Sequence, residues 1–438
     1  MCIVAKFGGS SLANGQQFEK VKNIVTSCDD RKYIIPSAPG KVSKEDQKVT
    51  DLLYLLYNMA SHNLNYKEIL DMIRVRYDQI IESLHLDLNL DEEFQAIEAS
   101  IQKGATKDYL SSRGEYLNGK VLSHYLGYDF IDAKDVIFFR EDGTFDEEKS
   151  YAAIQKMAKE HEHAVIPGFY GAKPSGEIIT FSRGGSDLTG SIIARGVSAK
   201  LYENWTDVSG FLASDPRIVE NPRQIEYITY NELRELSYSG ANILHDEAIF
   251  PVVSKGIPIN IRNTNRPEDQ GTFIVEEQSK DNTFHTLTGV TGRKNFTVIN
   301  ISKVRMNSEL SFHRKIMTVL EANDIYLEHM PSSIDSLSLI IADKYLQNKT
   351  DALINEFKTF CNPDSITVDK DIALVTVVGR NMKNHVGISA KLFSALAQSN
   401  INIQMIIQGA SEMNIIVGIK NSDYEKAINS IYHAFEDK

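Results

Sequence analysis

Over roughly the first 275 residues, short apolar runs alternate with helical patterns, and this constrains the fold more than any other feature of the chain. Residues 2–7 (CIVAKF), 32–38 (KYIIPSA), 163–171 (HAVIPGFYG), 177–181 (EIITF), 199–208 (AKLYENWTDV) and 257–263 (IPINIRN) read as strands. Several are apolar along most of their length, as strands covered on both faces are. Helical patterns fall at 48–60, 64–85, 91–103, 110–126, 148–160, 186–197, 230–238 and 242–254. The alternation predicts an α/β fold with a mostly parallel sheet. Ligands of such sheets bind beyond the carboxyl ends of the strands. The glycine-rich stretches considered below all follow strands, so one rim is expected to collect them.

The polar, unpatterned segment 274–284 (IVEEQSKDNTF) reads as a linker, and the texture changes after it. A strand at 296–302, a helix at 310–323 and strands at 325–333 and 336–342 form a β-α-β-β unit, followed by a helix at 344–358. A second such unit has its strand at 372–380, its helix at 386–399, strands at 401–410 and 413–420, and a closing helix at 422–436. This internal repeat of about 75 residues is a ferredoxin-like plan used twice. Tandem units of this kind after an enzyme-sized domain suit sensing or dimerisation.

A chain of 438 residues is expected to form two or three domains. No uncharged apolar run approaches the length of a membrane span, and MCIVAKFGGSS is a strand entering a turn, not a signal peptide. Cys2, Cys28 and Cys361 have neither disulfide-framework nor zinc spacing, and read as reduced cytoplasmic thiols. The net charge of −12 argues against nucleic acid and anionic membrane as partners. An anionic ligand must then be met by a few cations and backbone amides placed locally.

Five segments supply such groups. In KFGGSS (6–11), Gly8 and Gly9 let backbone N–H groups approach an anion beside Lys6, with Ser10 following. The lysine precedes the glycines, so this is not a P-loop, and a Gly-Gly turn with a solvated lysine accounts for the same residues. SAPGK (37–41) and KVTDLL (48–53) make a simple bend, or a space with the hydroxyls of Ser37 and Thr50 as donors. In SSRGEYLNGKVLSHYL (111–126), Glu115 is read as early in an amphipathic helix, where its carboxylate suits either the helix dipole or a substrate ammonium. In FSRGGSDLTGSIIARG (181–196), Ser186 or Asp187 is expected to cap a helix, glycine amides make an anion site, and Arg183 adds a planar fork for carboxylate or phosphate. NWTDVSGFLASDPRIV (204–219) carries Asp207, Asp215 and Arg217, which suit a ribose or a Mg²⁺-phosphate, although Pro216 also fits a surface turn. His245 with its adjacent acids, and the pair His161 and His163, lack metal-ligand spacing, so no protein-held metal centre is expected.

Taken in order, KFGGSS, SAPGK, S-x-GE, SRGGSD, WTDV-x-G, DPR and SGANILH (239–245) resemble the aspartate kinases over nearly the whole chain. The C-terminal repeat resembles that family's paired ACT domains, QGASEMNIIVGI (408–419) being the ending of the second. The resemblance implies a three-layer αβα amino-acid-kinase domain over 1–275, a linker over 276–286 and ACT domains over 287–365 and 366–438, with nesting of one ACT unit in the other left open. It implies ATP and Mg²⁺ as cofactors and L-aspartate as phosphoryl acceptor. Lys6, Gly8, Gly9 and Ser10 would lie under the ATP phosphates. Arg183 would take the α-carboxylate of aspartate and Glu115 its ammonium, with Ser37, Thr50 and Ser186 lining that pocket. Asp187 would sit near the metal or Lys6, and Thr206, Asp207, Asp215 and Arg217 would face the nucleotide.

The chemistry agrees: an aspartate side chain, with a pKa of about 3.9, is already ionised and needs no general base, so charge neutralisation is the main requirement. Four residues depart from the family pattern. Asn242 replaces a common lysine, Asp246 and Ser209 replace prolines, and Leu212 replaces an aromatic residue. The family's ACT domains bind an end-product amino acid, often at a dimer interface, which implies a homodimer or dimer of dimers. Met306, Ser308, Glu328 and Ser332 are the expected effector residues, and the acid at 328 favours lysine over threonine. No fused homoserine dehydrogenase is expected after the second ACT unit. Two other readings are a glutamate or N-acetylglutamate kinase, disfavoured by the ACT pair and the SRGGSD arginine, and a non-catalytic sensor, disfavoured by the intact charged residues on the rim.

Overall fold

The computed structural model describes residues 2–182, 184–241, 246–276, 287–380, 382, 385–409 and 413–436. In chain order its first elements are β1 (Ile3–Phe7), α1 (Gly15–Thr26), β2 (Arg31–Pro36), α2 (Val49–Ser61), α3 (Lys67–Ser83), α4 (Asp91–Gln102) and α5 (Lys107–Leu126). There follow β3 (Asp129–Phe130), α6 (Glu147–Glu160), β4 (Ala164–Val165), β5 (Tyr170–Ala172), β6 (Ile178–Thr180), α7 (Gly185–Gly196), β7 (Leu201–Thr206), β8 (Phe211–Leu212), β9 (Gln224–Ile225) and β10 (Tyr227–Thr229). The series continues with α8 (Tyr230–Tyr238), α9 (Asp246–Val253), β11 (Ile259–Asn263) and β12 (Thr272–Val275). Two compact units emerge. Among described residues the first holds 2–211, 224–233 and 246–276, and the second 212–223, 234–241 and 287–436.

The first unit is built on an eight-stranded sheet in the order β10-β12-β11-β7-β1-β2-β4-β3. All its pairs are parallel except β11 with β12. All five residues of β1 are buried, the signature of a strand with covered faces on both sides. Alternation sends Ala5 and Phe7 to one face, where they join Ile34, Val165 and Trp205 in a core with α1 to α5. Lys6 faces the other way, toward α7, which packs on β1, β2 and β7. Asn14 caps α1 by accepting the Gln17 N–H, and Thr106 caps α5 by accepting the Tyr109 N–H.

The second unit is an antiparallel sheet in the order β14-β13-β15-β17-β16, with strands β13 (Gly289–Ser302), β14 (Ser336–Ala342), β15 (Ser365–Val378), β16 (Met405–Ile407) and β17 (Asn414–Lys420). Its helices are α10 (Phe312–Ala322), α11 (Asp343–Leu346), α12 (Thr350–Cys361), α13 (Ile388–Gln398) and α14 (Tyr424–Glu436). The long strands β13 and β15 serve both repeats. Gly289 to Arg293 pair with Val378 to Leu374, the register shifts, and Val298 to Ser302 pair with Asp369 to Ser365.

Several sequence expectations are corrected. The strand expected at 325–333 is reduced to single bridges, His329 to Ile340 and Ser332 to Leu337, because Pro331 between them has no N–H to give a ladder. The strand expected at 401–410 is confined to Met405–Ile407. Ile274 and Val275, assigned to the linker, end β12, whose pairing with β11 compensates for the polar residues that follow. Residues 277–286 lie outside the described residues, as do 242–245 of the expected 242–254 helix. No described helix is long and apolar enough to cross a membrane.

Candidate active site

The carboxyl ends of β1 and β7 bring three polar side chains together on the face covered by α7. Lys6 Nζ lies 2.6 Å from Asp187 Oδ1 and donates to Asn204 Oδ1 at 3.3 Å. Asn204 Nδ2 donates to the same Asp187 oxygen at 2.9 Å. Lys6 is only 8% exposed, so its ammonium is held by this pair with little solvent to screen it. Beyond Lys6 the chain turns at once: the Gly8 N–H donates to the Trp205 carbonyl at 2.9 Å. α7 begins at Gly185 with Gly184 as its cap at φ 56°, a conformation that favours glycine. The cap is therefore neither Ser186 nor Asp187, as the sequence suggested. Both lie in the first turn, and the Asp187 carboxylate is spent on Lys6 and Asn204.

A second wall comes from the SAPG turn and α5. The Ser37 N–H donates to the Phe7 carbonyl at 3.0 Å and the Gly40 N–H to the Gly9 carbonyl at 2.8 Å. The two glycine loops touch backbone to backbone, for a Cβ on Gly40 would sit 2.6 Å from the Gly9 carbonyl carbon. Asn118 Nδ2 donates to the Ser37 carbonyl at 2.6 Å, and the Ala38 N–H bonds the Glu115 carboxyl. Glu115 is the ninth residue of α5, well past the first turn, which overturns its reading as a helix-dipole residue; Asp108 holds that position. α5 is buried around much of its circumference there, so its pattern is not amphipathic. Burial pushes Glu115 up to about 8, against the pull of the Ala38 N–H. Its Oε2 is buried with no hydrogen-bond partner among the described residues. Thr50 is half-buried at the start of α2.

Of the other expected residues, some bond one another and some lie outside the described residues. Thr206 ends β7 and its hydroxyl donates to Asp207 at 3.2 Å. Asp215 and Arg217 fall in the second unit and pair with each other, Arg217 Nη2 to Asp215 Oδ2 at 2.6 Å, with the Arg217 N–H closing a turn on Asp215 Oδ1 at 2.9 Å. Arg183 lies outside the described residues, as do Asn242 and His245. Of the effector residues, Met306 is buried in the core under α10 and α12, while Ser308 and Ser332 are exposed. The Asn307 N–H donates to the Ile334 carbonyl at 3.3 Å, tying the two effector segments together. Glu328 is ion-paired with Arg293, whose guanidinium also lies over the rings of Tyr238 and Phe296 at 5.6 and 5.3 Å.

Three features escaped the sequence reading. Asn204 is one. A second is Glu203, held by Arg31 Nε at 2.7 Å and the Trp205 indole N–H at 2.9 Å. The third is Arg293. The signal for the first two was present, since two polar residues inside an otherwise buried strand require partners. Among the described residues no group of three metal-ligating side chains occurs. The residues do fit a Mg²⁺ carried by nucleotide phosphates, which needs one or two carboxylates, because among the described residues both side-chain contacts of Asp187 fall on Oδ1.

Comparisons with known proteins give the family. The Amino acid kinase family matches residues 1–263 and an ACT domain family matches residues 375–435. Aspartokinase 3 of Bacillus subtilis is 37% identical over 449 residues, covering 99% of this chain and 98% of its own. A crystal structure of aspartate kinase from Clostridium acetobutylicum superposes with a TM-score of 0.93 at 53% identity, covering 99% of each chain. Aspartokinase III of Escherichia coli, solved with aspartate and ADP, shares the fold at a TM-score of 0.75 and 24% identity over the whole of both chains. The chain belongs to the aspartokinases of the amino acid kinase family and is an aspartate kinase with C-terminal ACT domains.

Proposed function

We propose that the chain transfers the γ-phosphoryl group of ATP to the side-chain carboxylate of L-aspartate, giving 4-phospho-L-aspartate, as the first step toward lysine, threonine and methionine in the cytoplasm. One observation carries this reading: the turn that follows Lys6 of the Lys6–Asp187–Asn204 cluster meets, through Gly9 and Gly40, the SAPG turn that bonds Glu115, a buried carboxyl with one oxygen unpartnered among the described residues.

An ionised carboxylate attacks a polyanion in this reaction. One of its oxygens forms the new O–P bond, the bond to the bridging oxygen breaks, and ADP leaves with the electron pair. Lys6 neutralises charge on the transferred group, while Asp187 and Asn204 hold its ammonium in place. The amides of Gly9 and Ser10 and the first turn of α7, with Ser186, face the phosphates, while Gly8, its own N–H held by Trp205, shapes the turn. Glu115 takes the ammonium of aspartate, Arg183 its α-carboxylate, and Ser37 and Thr50 line the pocket. Thr206 and Asp207 serve the nucleotide. Asp187 would hold a Mg²⁺ carried by the nucleotide, which would supply further neutralisation.

The second unit is the regulatory one in this reading. An end-product amino acid, lysine before threonine, binds at Met306, Ser308, Glu328 and Ser332 across a homodimer or dimer of dimers. Arg293 already supplies Glu328 with a cation. An effector ammonium therefore competes with Arg293 for that carboxylate. The test of the reaction is hydroxylamine trapping of the acyl phosphate with aspartate, glutamate and N-acetylglutamate as acceptors. Aspartyl hydroxamate alone is expected, and product from glutamate or N-acetylglutamate at a comparable rate would overturn the assignment.

A further inference from the structure

Between β2 and α2 the chain makes a flap, residues 40–48, whose ends are closed by the Val49 N–H donating to the Pro39 carbonyl at 3.2 Å. Asp46 organises its interior. It accepts the N–H groups of Val42 and Gln47, each at 2.8 Å, and Arg76 Nη2 of α3 at 2.5 Å. Burial raises the Asp46 carboxyl, but these donors outweigh it and hold the pKa below the usual carboxylate range. Arg76 also donates through Nη1 to the Gly40 carbonyl at 3.1 Å. One guanidinium thus pins the flap at both ends.

The pinning orients the next residue. The Gly40 N–H is held by the Gly9 carbonyl and the Gly40 carbonyl by Arg76, so both sides of this glycine are fixed. In a trans peptide the N–H points opposite to the carbonyl, so the Lys41 N–H is directed away from α3, and it has no partner among the described residues. The Lys41 side chain is exposed and unpaired among the described residues, on a flexible four-carbon stem one residue from the Gly9 contact. Lys44 and Lys48 are exposed on the same flap, while its acids are engaged, Asp46 as above and Glu45 by the Ser43 hydroxyl at 2.9 Å. In a chain of net charge −12, this gathers exposed positive charge on the flap whose Gly40 end meets the Gly8–Gly9–Ser10 turn.

We propose that Lys41 is a second phosphate-binding cation of the kinase, closing over the polyphosphate of the nucleotide from the flap, and that Arg76 is the positioning residue that holds the flap for it. The inference rests on the reading of Gly8 to Ser10 as the phosphate turn. Its test uses the full chain, with Lys41→Met, Lys41→Arg and Arg76→Met variants. Binding of inorganic tripolyphosphate is followed by calorimetry, and Michaelis constants are measured for ATP and aspartate. Loss of one charge-assisted contact in Lys41→Met weakens tripolyphosphate binding and raises the KM for ATP by about tenfold or more, with the KM for aspartate unchanged. Lys41→Arg restores most of the loss. Arg76→Met copies Lys41→Met in direction, and its effect disappears when Lys41 is already Met. Lys41 is exposed, so its replacement leaves the fold intact and any loss reports on binding. Wild-type tripolyphosphate affinity in Lys41→Met overturns the proposal. Protein that binds tripolyphosphate through Lys41 yet phosphorylates no aspartate supports it and overturns the assigned reaction instead.

Discussion

Glu115 is the residue whose state most depends on conditions. Its carboxyl ordinarily ionises near 4.5 and does so at about 8 in the fold, so between these pH values the folded state holds more protons than the unfolded chain. Rising pH therefore destabilises through this group. Its favourable contribution is complete below about 4.5 and lost as pH passes through about 8, at no more than about 1.4 kcal/mol per pH unit. Urea melts of wild type and Glu115→Gln are expected to converge at low pH, with the variant the more stable above pH 8. Aspartate needs the ionised form as the partner of its ammonium, so its KM is expected to rise by about tenfold per pH unit below the folded pKa. The KM of Glu115→Gln should be high and flat across that range. Lys6→Met tests the cluster on β1. Removing a cation preorganised against developing charge is expected to lower kcat by about 100- to 1,000-fold, with the far-ultraviolet spectrum unchanged.

At the scale of elements, the site depends on loops that touch and strands that carry buried charge. Gly40→Ala puts a Cβ 2.6 Å from a backbone carbonyl carbon that cannot move without shifting β1. It is expected to cost about 1–3 kcal/mol and to impair turnover, which a paired melt and rate assay would check. Glu203→Gln leaves the buried Arg31 guanidinium without its anion and is expected to cost about 3–5 kcal/mol by urea melting. The mostly parallel sheet and α7 were legible because apolar runs of buried strands and glycines at their ends follow from burial and turn geometry, whereas the order of strands in the sheet was not. What was not legible depended on partners distant in sequence. Glu115 lay too far into α5 to feel its dipole, which could be known only once Thr106 was seen to cap the helix. Asn204, Arg76 and Arg293 gained meaning from residues 17, 30 and 35 positions away. The short edge at 325–333 lost its ladder to a single proline.

For the whole molecule, an effector must act through a charge that the fold already uses. Arg293→Met removes the internal competitor for Glu328, so lysine is expected to inhibit at a concentration lower by about tenfold, while Glu328→Gln abolishes the response. An unchanged lysine titration in Arg293→Met would contradict the competition. On the proposed function the buried Glu115 carboxyl receives the substrate ammonium, so that the enzyme selects aspartate itself. The most direct measurement compares hydroxamate formation from L-aspartate and from N-acetyl-L-aspartate, in which the ammonium is replaced by a neutral amide, under saturating ATP. Turnover of aspartate is expected to be at least about 1,000-fold more efficient than of the acetylated acid, because the Glu115 carboxylate loses its cationic partner in the second complex. Equal efficiency for the two acceptors would contradict it.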